Sequence, residues 1–127
     1  IIDVRLPEEY DVSHIPEGHN LQSAEAIAAA FPDYAETIVV YCSVGYRSAA
    51  VAEELASLGY QNVNNLRHSI FEWAERGYDL ENAAGIATRV HPYNRAWGAL
   101  LSKELHNSPY RVRTGQTIST GLATYPP

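Results

Sequence analysis

One cysteine, Cys42, stands where an apolar run gives way to a helix-forming stretch, in Val40-Tyr41-Cys42-Ser43-Val44-Gly45-Tyr46-Arg47-Ser48. The β-branched and aromatic residues at 37–41 predict a buried parallel strand, and residues 48–58 predict a helix, which leaves a loop at 42–47. Such a loop suits a nucleophile. If it curls around the sulfur, its successive N–H groups and the following helix start form an anion-binding nest that favours thiolate over thiol. Gly45 supplies a permissive backbone position and Arg47 a fixed positive charge. In this reading Cys42 is the catalytic residue, and Ser43, Val44, Gly45, Tyr46, Arg47 and Ser48 are the substrate-binding cradle. The competing reading makes Cys42 a small buried hydrophobe, since free cysteine is among the most buried residue types. Packing alone, however, asks for neither a glycine three residues on nor an arginine five residues on.

The surrounding elements alternate. Residues 1–4 read as a buried strand, and Pro7 with Glu8 and Glu9 as a short helical turn, proline fitting the first helical position and acids favouring the dipole there. Pro16 and Gly18 mark a turn into a short strand ending near Leu21. Residues 24–31 form an alanine-rich helix stopped by Pro32. In the helix at 48–58, Val51, Leu55 and Leu58 share one face, and Gly59 is placed for a left-handed cap. A short strand follows at 62–66 and a helix at 69–76, closed by Gly77. The pattern predicts an α/β fold: a parallel β-sheet flanked by helices on both faces. In such sheets the site lies beyond the carboxyl ends of the strands, where Cys42 falls. Further on, Trp97, Leu100, Leu101 and Leu105 lie at helical spacing and predict an accessory C-terminal helix packing on the core. After His106 turn formers without a period predict an extended, partly disordered tail.

With 127 residues and 46% hydrophobic content, the chain can bury one sizeable core without disulfides. Residues 1–85 carry 14 acidic residues against four arginines, a net −10, while 86–127 carry a net +4. An acidic body repels phosphates, so nucleic acid is excluded as its partner. No run reaches membrane-spanning length, so no membrane partner is expected. A lone thiol favours the cytoplasm. The chain opens inside a strand and contains no methionine, so a segment upstream of Ile1 is expected.

Three stretches in order carry a resemblance. The opening IIDVRLPEEYDVSHIPEGHN has an apolar strand ending in Asp3-x-Arg5, then Glu9-Tyr10 and His14-Ile15-Pro16; VVYCSVGYRSAAVAEELASLGYQNVNNL follows, then IFEWAERGYDL. Together they resemble the rhodanese-like family of single-domain thiosulfate sulfurtransferases over residues 1 to about 80. The resemblance implies a rhodanese domain at 1–82, an accessory helical extension at 83–106 and the tail at 107–127. It implies a small-molecule sulfur donor such as thiosulfate, a thiol or cyanide acceptor (a protein thiol included), a Cys42 persulfide and no cofactor. It also adds Arg5 to the substrate-binding residues, although an ion pair with Glu9 or a loop anchor is the structural alternative for that side chain.

A noncatalytic rhodanese-like module that binds a partner or senses sulfur is the rival reading. Phosphatase or arsenate reductase activity is a third. The related cell-cycle phosphatases place five residues between cysteine and arginine. Here there are four, and the smaller loop favours sulfur over phosphorus; no acid lies in it to protonate a leaving group. His14 reads as a turn-stabilising hydrogen-bonder. His68 and Ser69 stand where many relatives have two glycines, which alters the expected pocket wall. His19, His91 and His106 lack ligand spacing, so no metal site is expected.

Overall fold

In the computed structural model, which describes residues 1–107, four short strands lie parallel: β1 (Ile2–Asp3), β2 (His19–Asn20), β3 (Thr37–Tyr41) and β4 (Asn62–Asn65), in the spatial order β2-β1-β3-β4. Asp3 sits opposite Tyr41 and Val40 opposite Asn65, so Cys42 leaves the sheet at its carboxyl edge. Parallel neighbours require crossovers. These are supplied by α1 (Pro7–Val12), α2 (Ala24–Ala30) and α3 (Tyr46–Ser57), and α4 (Ser69–Glu75) follows β4.

The period-two alternation of β3 feeds two cores. Ile38, Val40 and, next in phase, Cys42 share one with Ala24 and Ile27 of α2 and Val51 and Leu55 of α3. Tyr41 turns to the other, with Ile15 and with Ile70, Phe71 and Ala74 of α4. Each fully buried Ile or Leu contributes roughly 1.5–3 kcal/mol over leaving it exposed. β4 is a polar edge: only Val63 packs against the core, and its exposed asparagines discourage pairing with another chain.

Local rules explain most of the boundaries. Ser23 caps α2 by accepting from the Ala26 N–H at 3.1 Å, and Phe31 closes it just before Pro32. Gly59, at φ 108°, follows α3 in the left-handed conformation its position predicts. The short helical turn expected at Pro7 runs to six residues, with proline at its start and the Glu9 carboxylate accepting the Leu6 N–H at 3.0 Å. One boundary needs correction. α3 starts at Tyr46 rather than Ser48, because Gly45 at φ 109° reverses the chain directly into the helix. The loop is therefore 42–45, and Arg47 belongs to the first helical turn.

The single accessory helix expected around 97–105 is absent. Residues 80–87 form an antiparallel pair, β5 (Leu80–Asn82) and β6 (Gly85–Ala87), followed by a four-residue α5 (Arg95–Gly98) and a 3-10 turn at Lys103–Leu105. Two long-range bonds break the helix. The Ser102 N–H donates to Glu75 Oε1 at 2.7 Å, and the Gly98 carbonyl accepts from the His106 ring Nε2 at 2.7 Å. The chain thereby bends so that Val90, Leu101 and Leu105 all enter the core of Phe71 and Tyr41. The tail expected at 107–127 lies, from residue 108, outside the described residues.

Candidate functional site

Cys42 directly follows the last residue of β3, and its backbone is pinned by the start of α4. Its N–H donates to Ser69 Oγ at 3.1 Å, its carbonyl accepts from the Ile70 N–H at 3.1 Å, and the Ser43 carbonyl accepts from Phe71 N–H at 3.0 Å. Around Sγ, the Gly45 N–H stands at 3.1 Å and the Ser48 N–H at 3.5 Å. Ser48 Oγ is 3.4 Å from the sulfur and 2.6 Å from Asn65 Oδ1. A hydroxyl has one proton, and the shorter contact to the amide oxygen takes it. Asn65 in turn donates through Nδ2 to the Gly45 carbonyl at 3.0 Å, which fixes the glycine whose amide faces the sulfur. Two backbone donors aimed at one sulfur stabilise negative charge on it.

Cys42 lies in this nest fully buried, at 0% exposure. The nest is narrower than the run of amides expected from Ser43 to Arg47: among the described residues the amides bonded to sulfur are those of Gly45 and Ser48. Val44 packs toward the Tyr41–Phe71 core, and Tyr46 projects outward, 76% exposed.

Arg47 does not direct a free charge at the sulfur. Its Nη1 and Nη2 each donate to one oxygen of Glu9 at 2.9 Å, and Nη2 also donates to Ser43 Oγ at 2.8 Å. Glu9 is fully buried. Burial alone would push its carboxyl up, but the Arg47 guanidinium, with help from the Leu6 N–H and Arg5, holds it below its ordinary value. Burial likewise opposes the charge on Arg47, and Glu9 outweighs it and raises the pKa of Arg47. Tyr93 covers the guanidinium, its ring centre 4.1 Å from Cζ.

Arg5 is engaged by other groups of the fold. Fully buried, it donates through Nε to Asp3 Oδ1 at 2.9 Å and through Nη2 to Asp3 Oδ2 and the Ser13 carbonyl, both at 2.7 Å. Its partner is Asp3 rather than Glu9, because the extended β1 end brings i and i+2 to the same side. Asp3 Oδ2 also accepts from Tyr41 Oη at 2.7 Å, and burial followed by the Asp3 charge drives the Tyr41 phenol strongly upward, keeping it neutral. This network ties β1 to β3 beneath the loop; it presents no Arg5 surface to a substrate. His14 stacks on Tyr10 at 3.8 Å, its ring Nδ1 lies 3.2 Å from the Tyr10 carbonyl, and its backbone exchanges bonds with Glu81, so it ties the end of α1 to a distant segment.

Several participants escape sequence reasoning. Glu9, Asn65 and Ser69 meet the loop only through the tertiary fold; the available signals were that Asn65 closes a strand at the carboxyl edge of a parallel sheet and that Ser69 falls on the expected pocket wall. His68 and Ser69 both adopt the left-handed backbone, at φ 57° and 54°. The Ser69 hydroxyl uses this strained position to reach the Cys42 N–H.

Comparison with known proteins agrees with this geometry. The chain is similar to thiosulfate sulfurtransferase PspE of Escherichia coli, 40% identical over 67 residues that cover 50% of this chain and 64% of that protein. It is similar to thiosulfate:glutathione sulfurtransferase of Saccharomyces cerevisiae, 29% identical over 93 residues that cover 62% of this chain and 67% of that one. The chain thus spans about two thirds of the length of these relatives. Among solved structures, a rhodanese-related protein of Thermoplasma volcanium superposes with a TM-score of 0.53 at 30% identity, covering 62% of this chain and 79% of that one. The rhodanese-like domain model matches residues 1–76, and with the parallel sheet and the cysteine loop at its carboxyl edge, this chain belongs to the rhodanese-like domain family.

Proposed function

We propose that this protein is a sulfurtransferase in which Cys42 carries the transferred sulfur. The observation that carries the reading is the Gly45 N–H held 3.1 Å from Cys42 Sγ, with the Ser48 N–H beside it, at the mouth of a parallel sheet. The thiolate attacks the outer sulfur of thiosulfate. The S–S bond of the donor breaks, sulfite departs with the electron pair, and Cys42 becomes a persulfide whose terminal sulfur carries the negative charge. A thiolate or cyanide then attacks that terminal sulfur and the Cys42 thiolate returns, a ping-pong sequence through a covalent intermediate. Preorganised amide donors stabilise the charge in both half-reactions. No general base is required once the sulfur is ionised.

The phosphatase alternative loses ground, since it needs a carboxylic acid to protonate the leaving group. Glu9 is the acid at the loop, and its pairing with Arg47 keeps it ionised. The noncatalytic alternative has one observation in its favour: the sulfur is fully buried, and Arg47 is already neutralised. Mixing the protein with thiosulfate and cyanide and following thiocyanate separates these readings. Turnover that disappears in Cys42→Ala supports sulfur transfer; wild-type signal no greater than that of Cys42→Ala overturns it in favour of the binding module.

A further inference from the structure

The family match ends at residue 76, yet residues 90–101 return to the cysteine loop. Val90 and Leu101 anchor this segment in the core at 0% and 3% exposure, and Val90 is further pinned by its N–H to the Leu105 carbonyl at 2.7 Å. Between the anchors the chain is bent by specific contacts. The Tyr93 N–H donates to His91 Nδ1 at 2.9 Å, Tyr93 adopts φ 68°, and Asn94 Oδ1 caps the Trp97 N–H at 2.8 Å. Gly98 fits so closely under Pro92 that an added Cβ would lie 2.9 Å from the proline ring. The result is a strap whose two aromatic rings are delivered to the loop. Tyr93 lies 4.1 Å over Arg47 Cζ, Trp97 lies 5.9 Å from it, and the two rings pack at 4.9 Å. Trp97 also meets the Tyr46 ring edge-on at 6.2 Å. The strap therefore touches both residues that follow Gly45, while the sulfur those residues flank has no exposed surface.

We propose that Tyr93 and Trp97 are specificity-determining residues that set the size of the reagent able to reach the Cys42 sulfur, admitting compact donors such as thiosulfate and excluding bulky ones. The inference rests on the reading of Cys42 as the reacting group. The cation–π contact of Tyr93 with a guanidinium that Glu9 already holds rigid fixes one wall, and Trp97 braces it against Tyr46. A left-handed tyrosine is strained, and such strain persists where surrounding contacts over-determine it.

The test measures alkylation of Cys42, the only cysteine, by iodoacetamide and by a bulky fluorescein maleimide, and compares the two rates within each variant. Tyr93→Ala and Trp97→Ala raise the maleimide rate several-fold relative to iodoacetamide, because a bulky reagent gains more from an opened wall than a small one. Tyr93→Phe keeps the ring and the wild-type ratio. Tyr60→Ala, at the opposite edge of the sheet where its hydroxyl donates to the Phe31 carbonyl, destabilises the fold without touching the strap or the cysteine loop and also keeps the ratio. The proposal is overturned if both alanine variants keep the wild-type ratio, if Tyr60→Ala shifts it equally, or if Cys42 stays unreactive in every variant. A shifted ratio in a protein that makes no thiocyanate supports the gate and defeats only the sulfur-transfer reading.

Discussion

Arg47 and Glu9, 38 positions apart, meet in a two-pronged ion pair with both N···O distances at 2.9 Å, and the Ser43 hydroxyl bridges them. The pair joins α1 to the first turn of α3 across the cysteine loop. Glu9 has 1% and Arg47 23% of its side chain exposed, so the pair sits between the surface and fully buried cases. Glu9→Gln leaves the guanidinium without its counter-charge and lowers stability by about 2–3 kcal/mol. It also frees Arg47 to attract an anion, so KM for thiosulfate falls. Denaturant melts and steady-state kinetics check both; an unchanged midpoint with unchanged KM contradicts this role for the pair.

Arg5 separates structure from substrate binding. Its guanidinium is fully buried and holds Asp3 and the Ser13 carbonyl through Nε and Nη2, so Arg5→Lys, which loses the two-pronged geometry but keeps the charge, lowers the unfolding midpoint while leaving KM for thiosulfate unchanged. Asp3→Asn strands a buried cation and costs about 3–5 kcal/mol, a large share of the stability of a small domain. A raised KM in Arg5→Lys at wild-type stability restores the substrate role that the family resemblance suggested.

Ser69, left-handed at φ 54°, makes an asymmetric prediction. Ser69→Ala keeps the strained backbone and removes the acceptor for the Cys42 N–H, a loss of about 1 kcal/mol. Ser69→Gly removes the same acceptor but relieves backbone strain of about 1 kcal/mol, a gain reduced by the extra freedom glycine gives the unfolded chain, and so loses less. Urea titration of the two variants checks the order Ser69→Gly above Ser69→Ala. The reverse order contradicts it.

Stability falls on acidification in two stages. Burial holds His91 below the ordinary histidine value of 6.5, and its neutral Nδ1 accepts from the Tyr93 N–H. As pH drops below 6.5 the unfolded chain takes up a proton that folded His91 refuses, so folding free energy declines toward the depressed folded value. Glu9 is held below 4.5. Its contribution is complete above 4.5 and is lost as pH falls through its folded value. Unfolding measured from pH 7 to pH 4 shows a shallower first stage in His91→Asn; identical slopes in the two proteins contradict the assignment to His91.

The fold was legible where the signal was local. The β-branched run gave β3 to the residue, Pro32 marked the end of α2, and Gly59 closed α3. Strand-loop-helix context also placed Cys42 at the sheet edge. What stayed hidden was non-local or too short to show a period. The apolar spacing around Trp97 to Leu105 is helical on paper, but Glu75 and His106 take the groups that would continue the helix. β5 and β6 have three residues each, too few for alternation to register. The sequence showed Arg47 as a cation but not that Glu9 neutralises it, because nothing in either local segment encodes a contact made by the folded sheet.

The most direct test is the mass of the protein after brief exposure to thiosulfate, read together with the sulfite released. Sulfur transfer through the nest at Gly45 and Ser48 predicts one sulfur atom gained on the Cys42 peptide, one sulfite per protein molecule, and removal of the added sulfur by cyanide. An unmodified Cys42 peptide with no sulfite released contradicts it.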